Sequence, residues 1–240
     1  MSILITGAGR RLGLTLVEHF LAQGEHVTAV TRGGCDELHR LKLRFEHELA
    51  IEVISNYSIE GLEALIGRLG QRKFSLLINN ASMFEDDQTS SGVQAAYNQF
   101  THFFDVHMAF PALLGDWFYT QYAPTQDGQS GLIINITDIY VANPKPGRAF
   151  YSATKAGLEN LTLSQAKEYA PKLRVNSIQP GTMKFLPEHD EQTQQQVLAH
   201  SLFQYEAGFT PLVQAIEYLM GNSFVTGTAL KVDGGRSLAR

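Results

Sequence analysis

Tyr151 and Lys155 open the run Tyr151-Ser152-Ala153-Thr154-Lys155. On a helix, positions i and i+4 share one face, so the phenol and the ammonium can meet. A neighbouring ammonium stabilises phenolate and lowers a tyrosine's pKa, which makes Tyr151 a usable proton donor near neutral pH. Taken alone, such a pair is equally the mark of a structural contact. A second motif stands near the start of the chain, Thr6-Gly7-Ala8-Gly9-Arg10-Arg11-Leu12-Gly13. Gly7 and Gly9 permit tight backbone geometry, and Gly13 permits close approach of helix to strand. The motif follows an apolar run and opens a helical pattern. Helix N-terminal N–H groups carry partial positive charge and suit a pyrophosphate. A purely structural turn is the competing reading of the glycines.

The second strand chooses between dinucleotides. A chain that binds NAD usually places an acid there for the ribose hydroxyls, but this strand ends Thr31-Arg32-Gly33. The planar guanidinium of Arg32 can pair with a 2′-phosphate, and Thr31 can donate a hydroxyl. NADPH is the expected cofactor; a solvated surface arginine is the alternative.

These residues must be held by the elements around them. Apolar runs at 3–5, 26–31, 51–55, 74–78, 132–136, 174–178 and 228–232 alternate with helical patterns from one end of the chain to the other. In the first helix Leu12, Leu16 and Phe20 recur at helical spacing. Further helices are expected at 36–48, from Leu62 to Leu69, at 151–169 and at 211–220, and two at 93–122 with a break or kink at Pro111. Strand-then-helix alternation with apolar strands predicts an α/β fold: a Rossmann-type, doubly wound parallel β-sheet with helices on both faces. The polar stretches 86–92 and 122–131 are too short for domain linkers, so one domain over 1–240 is expected. Gln192–Gln196 reads as a solvated helix start.

The chain has 240 residues, a net charge of -5 and one cysteine, Cys35; hydrophobic residues make up 44% and charged residues 18%. Those values exclude a disordered or collagen-like chain. A mildly acidic domain has no general pull toward nucleic acid or anionic lipid. One cysteine can form neither an intramolecular disulfide nor a cysteine metal cage, and no metal site is expected. The apolar N-terminal run is too short for a signal peptide, and no segment approaches the ~20 apolar residues that span a bilayer. A soluble, cytoplasmic setting is expected.

Thr6–Gly13, Asn79-Asn80-Ala81, Tyr151-x-x-x-Lys155, Pro180-Gly181 and the terminal Val232-Asp233-Gly234-Gly235 occur in the order and spacing of the short-chain dehydrogenase/reductase family. The resemblance covers the whole chain. It implies hydride transfer from a nicotinamide, Tyr151 as proton donor, and Lys155 holding the ribose. It further implies that Asn80 and Ala81 lie along the cofactor and that Pro180 and Gly181 meet the nicotinamide amide through backbone. The family is commonly a homotetramer with paired long helices, and the same assembly, or a dimer, is expected here.

Three positions depart from the usual pattern. Asp138 stands where the family has a catalytic serine, Arg11 where it has a glycine, and His107 aligns with a helix asparagine. With Asn80-Ala81-Ser82-Met83-Phe84, these departures resemble the pteridine reductase branch, most of all its bacterial dihydromonapterin-reducing group. The resemblance implies NADPH-dependent reduction of a 7,8-dihydropterin at C6 and N5. Phe84 would stack on the pterin, and Ser82 and Arg11 would bond its edge or the cofactor phosphate. Asp138 would orient the ring or share a proton relay with Tyr151, and His107 would complete a water relay to Lys155. Against these stand local capping by Asp138, a core position for Phe84 and a packed His107. The loop 182–196 is expected to cover the substrate. Two other functions compete: a carbonyl or 3-oxoacyl reductase of the same family, which Asp138 disfavours, and a cofactor-sensing protein without turnover, which Tyr151 and Lys155 disfavour.

Overall fold

A computed structural model describes residues 1–122 and 130–239. Most of the expected loop at 122–131 lies outside the described residues. The strands are β1 (Ser2–Thr6), β2 (His26–Thr31), β3 (Leu49–Val53), β4 (Leu76–Asn79), β5 (Gly131–Ile136), β6 (Leu173–Pro180) and β7 (Ala229–Val232). All pair in parallel, in the order β3-β2-β1-β4-β5-β6-β7. The order reverses between β1 and β4, so a crevice opens beyond their carboxyl ends.

Among the described residues, eight α-helices cover the sheet: α1 (Arg11–Ala22), α2 (Asp36–Arg44), α3 (Ile59–Leu69), α4 (Val93–Phe104), α5 (Phe110–Gln121), α6 (Ala149–Tyr169), α7 (Glu191–Ala199) and α8 (Thr210–Gly221). Successive strand side chains point to opposite faces, and the strands are apolar on both. Ile3, Ile5, Ile78 and Ile134 pack with Leu16 and Phe20 of α1, Leu38 of α2 and Ile216 of α8. Leu4, Leu77 and Ile133 pack on the other face with Leu65 of α3, Leu114 and Phe118 of α5, and Tyr169 of α6. Truncating one such buried leucine to alanine typically costs about 2–5 kcal/mol. Among the described residues, no helix is long and apolar enough to cross a membrane.

Three local features differ from the sequence expectation. Between α4 and α5 the chain does not break; a π-helical turn, Asp105–Ala109, joins them with right-handed helical backbone at both ends. Pro111 has no N–H to give the carbonyl four residues earlier, and its ring crowds that carbonyl, so the helix widens just before it. Helix α2 stops at Arg44 rather than Glu48; Lys42 turns its ammonium to the carbonyls of Glu46 and Leu49 and fixes the turn into β3. The loop expected at 182–196 ends at Asp190; α7 starts at Glu191, one residue before the solvated helix start expected at Gln192, capped by the Asp190 carboxylate, which accepts the Thr193 N–H at 2.8 Å.

Candidate active site

The crevice is built from strand ends. At the end of β1, the Thr6 hydroxyl oxygen accepts the backbone N–H groups of Asn80 and Ala81 at 3.1 and 3.2 Å. The Asn80 amide donates to the carbonyls of Thr6 and Gly7, each at 3.1 Å. Asn80 and Ala81 thus tie the carboxyl end of β4 to the glycine loop. That loop leaves no room for side chains. A Cβ on Gly13 would sit 2.1 Å from the Gly7 carbonyl oxygen, and one on Gly9 would sit 2.6 Å from the Thr31 hydroxyl. Gly7 has φ +64, in the left-handed region that favours glycine. Arg10 precedes α1 in extended conformation, and α1 has no side-chain cap and no acid in its first turn. Leu12 anchors the first turn in the core. A close-walled glycine loop ending in uncapped helix N–H groups fits a dinucleotide pyrophosphate.

Arg32 lies exposed at the end of β2 with its guanidinium 5.7 Å from the Tyr57 ring centroid. Tyr57 is buried, and sequence reasoning missed it because no motif marks the turn after β3. Pro180 ends β6 and Gly181 follows it. The Gly181 N–H donates to the Val232 carbonyl at 3.0 Å, and a Cβ there would strike Asp233.

Arg11 has intramolecular partners in this structure. It is the single described non-glycine residue with positive φ, at +50, a strain that typically costs about 1–3 kcal/mol. Its guanidinium donates to the carbonyls of Lys184 and Phe185 and lies 5.5 Å from the Phe209 centroid. Arg11 therefore straps the glycine loop to the segment before α7.

The proton-bearing groups converge at the start of α6. The Tyr151 hydroxyl donates to Asp138 Oδ2 at 2.7 Å, and Asp138 Oδ1 accepts the Tyr140 N–H at 2.9 Å. Asp138 both caps a short 3-10 turn and faces the phenol, so the capping and relay readings coexist. Thr137 points to the other face, giving its hydroxyl to Glu159 at 2.9 Å. Burial raises the Asp138 carboxyl, opposed by the Tyr140 N–H, the Tyr151 hydroxyl and Lys155.

Tyr151 corrects the sequence expectation. Its pKa is held well above 10, first by burial and then by the Asp138 charge, with Ser82 as a weaker opposing hydrogen-bond partner. The Lys155 ammonium is not on the phenol. Its Nζ donates to the Ile136 carbonyl at 2.8 Å and lies 5.9 Å from the Tyr151 ring centroid. Burial lowers Lys155 to about 8.

His107 is fully buried in the π turn. Its Nε2 accepts the Met83 N–H at 3.1 Å and lies 3.2 Å from the Ser82 hydroxyl; Nδ1 meets the Thr154 hydroxyl at 2.9 Å. Accepting an N–H leaves Nε2 unprotonated, so Nδ1 carries the hydrogen. Burial and then Lys155 depress its pKa well below 6.5. With both nitrogens hydrogen-bonded, His107 positions the Ser82–Met83 turn.

Phe84 is 50% exposed, not core. Its ring meets the Tyr151 ring edge-on, centroids 4.9 Å apart, and lies nearly parallel to Tyr140 at 6.5 Å. Sequence reasoning also missed the polar frame that fixes α6. Asn79 donates to Asn135 and Asn135 to Thr162, each at 2.8 Å, while Ser177 and Gln179 donate to Glu159 at 2.7 and 3.2 Å. Asn79, Asn135, Ser177 and Gln179 sit in three strands and Glu159 and Thr162 on α6; only the strand pairing and the helix laid across it bring them together.

A phosphate-binding loop, a strand-end carboxylate and a tyrosine–lysine helix on one crevice can bind a dinucleotide and move a proton. Comparison with known proteins agrees. The family model described as short chain dehydrogenase matches residues 1–197. A dihydromonapterin reductase from Klebsiella pneumoniae subsp. pneumoniae is 32% identical over 248 residues, covering 98% of this chain and 96% of that protein. A protein of the same name from Escherichia coli strain SMS-3-5 is 32% identical over 243 residues, covering 99% and 97%. Among solved structures, FolM alternative dihydrofolate reductase 1 from Brucella suis in complex with NADP superposes with a TM-score of 0.84 at 26% identity, over 100% of this chain and 96% of that one. The 4-hydroxyisoleucine dehydrogenase complexed with NADH, at TM-score 0.89, 24% identity and 100% and 99% coverage, shares the fold. The chain is a member of the short-chain dehydrogenase/reductase family, an NAD(P)-binding oxidoreductase.

Proposed function

We propose that the protein reduces a 7,8-dihydropterin, of the dihydromonapterin kind, to the tetrahydropterin with NADPH. The observation that carries this reading is the 2.7 Å hydrogen bond from the Tyr151 hydroxyl to the Asp138 carboxylate. A carbonyl reductase of this family uses a hydroxyl at that place to polarise a ketone, and a carboxylate is poorly suited to that work. It is well suited to holding a proton. The relatives named dihydromonapterin reductase and the NADP-bound neighbour support the same substrate class and cofactor.

NADPH, when bound, supplies the hydride that forms the new C6–H bond. The chain's own residues supply the proton for N5. Burial raises the Asp138 carboxyl and raises Tyr151 further, because a phenolate would face a carboxylate in a water-poor site. The pair therefore avoids a free phenolate. The Tyr151 hydroxyl gives its proton to N5, and Asp138, hydrogen-bonded to the same oxygen at 2.7 Å, relays a replacement proton to it from solvent, so the phenol ends neutral. Lys155 places positive charge beside the Asp138 carboxyl. Phe84 offers an exposed ring for stacking, and Arg32 and Thr31 stand where a 2′-phosphate would be read.

The test is NADPH consumption with 7,8-dihydromonapterin, 7,8-dihydrobiopterin and a panel of ketones and 3-oxoacyl thioesters. Turnover of a dihydropterin is expected; turnover of the ketones alone refutes the reading. The exposed apolar side chains of Tyr97, Phe100 and Phe104 on α4, Leu113 on α5 and Leu163 on α6 fit paired-helix packing in a homotetramer. Sedimentation equilibrium should return a tetramer mass, and a monomer would contradict it.

A further inference from the structure

Arg148 immediately precedes α6 and belongs to none of the motifs above. Its guanidinium carbon lies 3.6 Å from the centroid of Phe84, flush against the ring. Nη2 pairs with Asp86 Oδ1 at 2.9 Å, but that carboxylate is 81% exposed while the arginine side chain is 14% exposed. Nε and Nη1 are buried and have no hydrogen-bond partner. An exposed carboxylate contributes little through one ion pair, and buried N–H groups without acceptors cost stability. What holds the arginine there is its contact with the Phe84 ring, and a native protein's unsatisfied buried groups call for a reason.

We infer that Arg148 is a positioning residue that turns Phe84 into a one-faced stacking plate for a flat, electron-rich heteroaromatic substrate. This rests on the pterin reading and adds a determinant of ring specificity to it. The guanidinium covers one face of Phe84, Tyr151 meets the ring edge-on and Tyr140 lies nearly parallel 6.5 Å away, so the exposed half of the ring is what it can offer. A cation over an aromatic face draws its π density, leaving the opposite face depleted and suited to an electron-rich ring such as the aminopyrimidinone half of a dihydropterin. Through Asp86 and Phe84, Arg148 also joins the Phe84 segment to the start of the helix that carries the proton donor. The neighbouring Asp87 carboxylate accepts the Ala149 and Phe150 N–H groups at 2.6 and 3.3 Å. The segment bearing Phe84 is thereby fastened to the helix that carries Tyr151, whose ring is 4.9 Å from Phe84.

The experiment measures binding of oxidised biopterin, by quenching of its fluorescence, to NADP+-loaded parent protein, Arg148→Met, Arg148→Lys, Phe84→Ala, the Arg148→Met/Phe84→Ala double variant and Asp86→Asn. Arg148→Met should weaken biopterin about tenfold with NADP+ affinity unmoved. Arg148→Lys should recover part of the loss, and Asp86→Asn should bind as the parent does. In the Phe84→Ala background the arginine substitution should have no further effect. With 7,8-dihydromonapterin, KM should rise more than kcat falls. Unchanged binding in Arg148→Met, or the same loss with and without Phe84, overturns the inference while leaving the pterin reading intact. A parent protein that binds no pterin overturns both.

Discussion

Replacing Lys155 by methionine should stabilise the ligand-free protein while removing its activity. Lys155 is 1% exposed, with its ammonium on one acceptor, the Ile136 carbonyl. Burial lowers its pKa from 10.5 to about 8. Below pH 8 both the native and the unfolded chain carry the proton, and the native state bears the desolvation cost. Between about 8 and 10.5 the unfolded chain binds more protons, so the parent gains stability as pH rises through that window. The gap corresponds to about 3 kcal/mol at neutral pH. Methionine removes that cost but leaves the Ile136 carbonyl without its donor, which opposes by about 1–3 kcal/mol. The net expectation at pH 7 is a gain of about 1 kcal/mol, or roughly 2–4 °C in Tm for a chain of this size. Urea unfolding of both proteins from pH 7 to pH 10 measures it. The variant's advantage should shrink steadily above pH 8. A variant several kcal/mol less stable than the parent at pH 7, or a difference that ignores pH, refutes the reasoning.

Tyr151→Phe removes the last donor in the proton path and should lower kcat about 100-fold or more while leaving NADPH affinity unchanged, as read by single-turnover kinetics and nucleotide fluorescence. Arg32→Ala should cost NADPH about 1–3 kcal/mol and NADH little, so that the ratio of their Kd values collapses toward one. His107 is held neutral well below its ordinary 6.5, so the unfolded chain takes up a proton there first and the parent should lose stability as pH falls below about 6.5. His107→Asn, which can still accept the Met83 N–H, should flatten that acid slope in denaturation curves; an unchanged slope assigns it to other groups.

The sheet was readable because its strands are apolar on both faces and its helices carry one apolar stripe, as Leu4 between Ile3 and Ile5 and Leu12, Leu16 and Phe20 illustrate. Tyr151 and Lys155 were readable because one helix fixes their spacing. Helix α7 was readable only at its start, the glutamine run Gln192–Gln196, since it buries none of its residues and offers no apolar period to mark its length. The electrostatics of the site were also hidden. Helical spacing allowed Lys155 to meet the phenol, but the Ile136 carbonyl at the end of β5 holds the ammonium, and burial with Asp138 moves Tyr151 the other way. The contacts of Arg11 with the carbonyls of Lys184 and Phe185 were hidden too, because they join segments far apart in the chain and depend on its left-handed backbone. Arg148 and Tyr140 carry no pattern at all; a 3-10 turn and a loop bring them beside Phe84.

The most direct test of the central claim, that a buried carboxyl feeds the proton path of a dihydropterin reductase, is Asp138→Ser assayed with two substrates. The ratio of kcat/KM for 7,8-dihydromonapterin to that for a simple ketone should fall about 100-fold or more, through loss on the pterin and gain on the ketone. A ratio equal to the parent's would contradict the account.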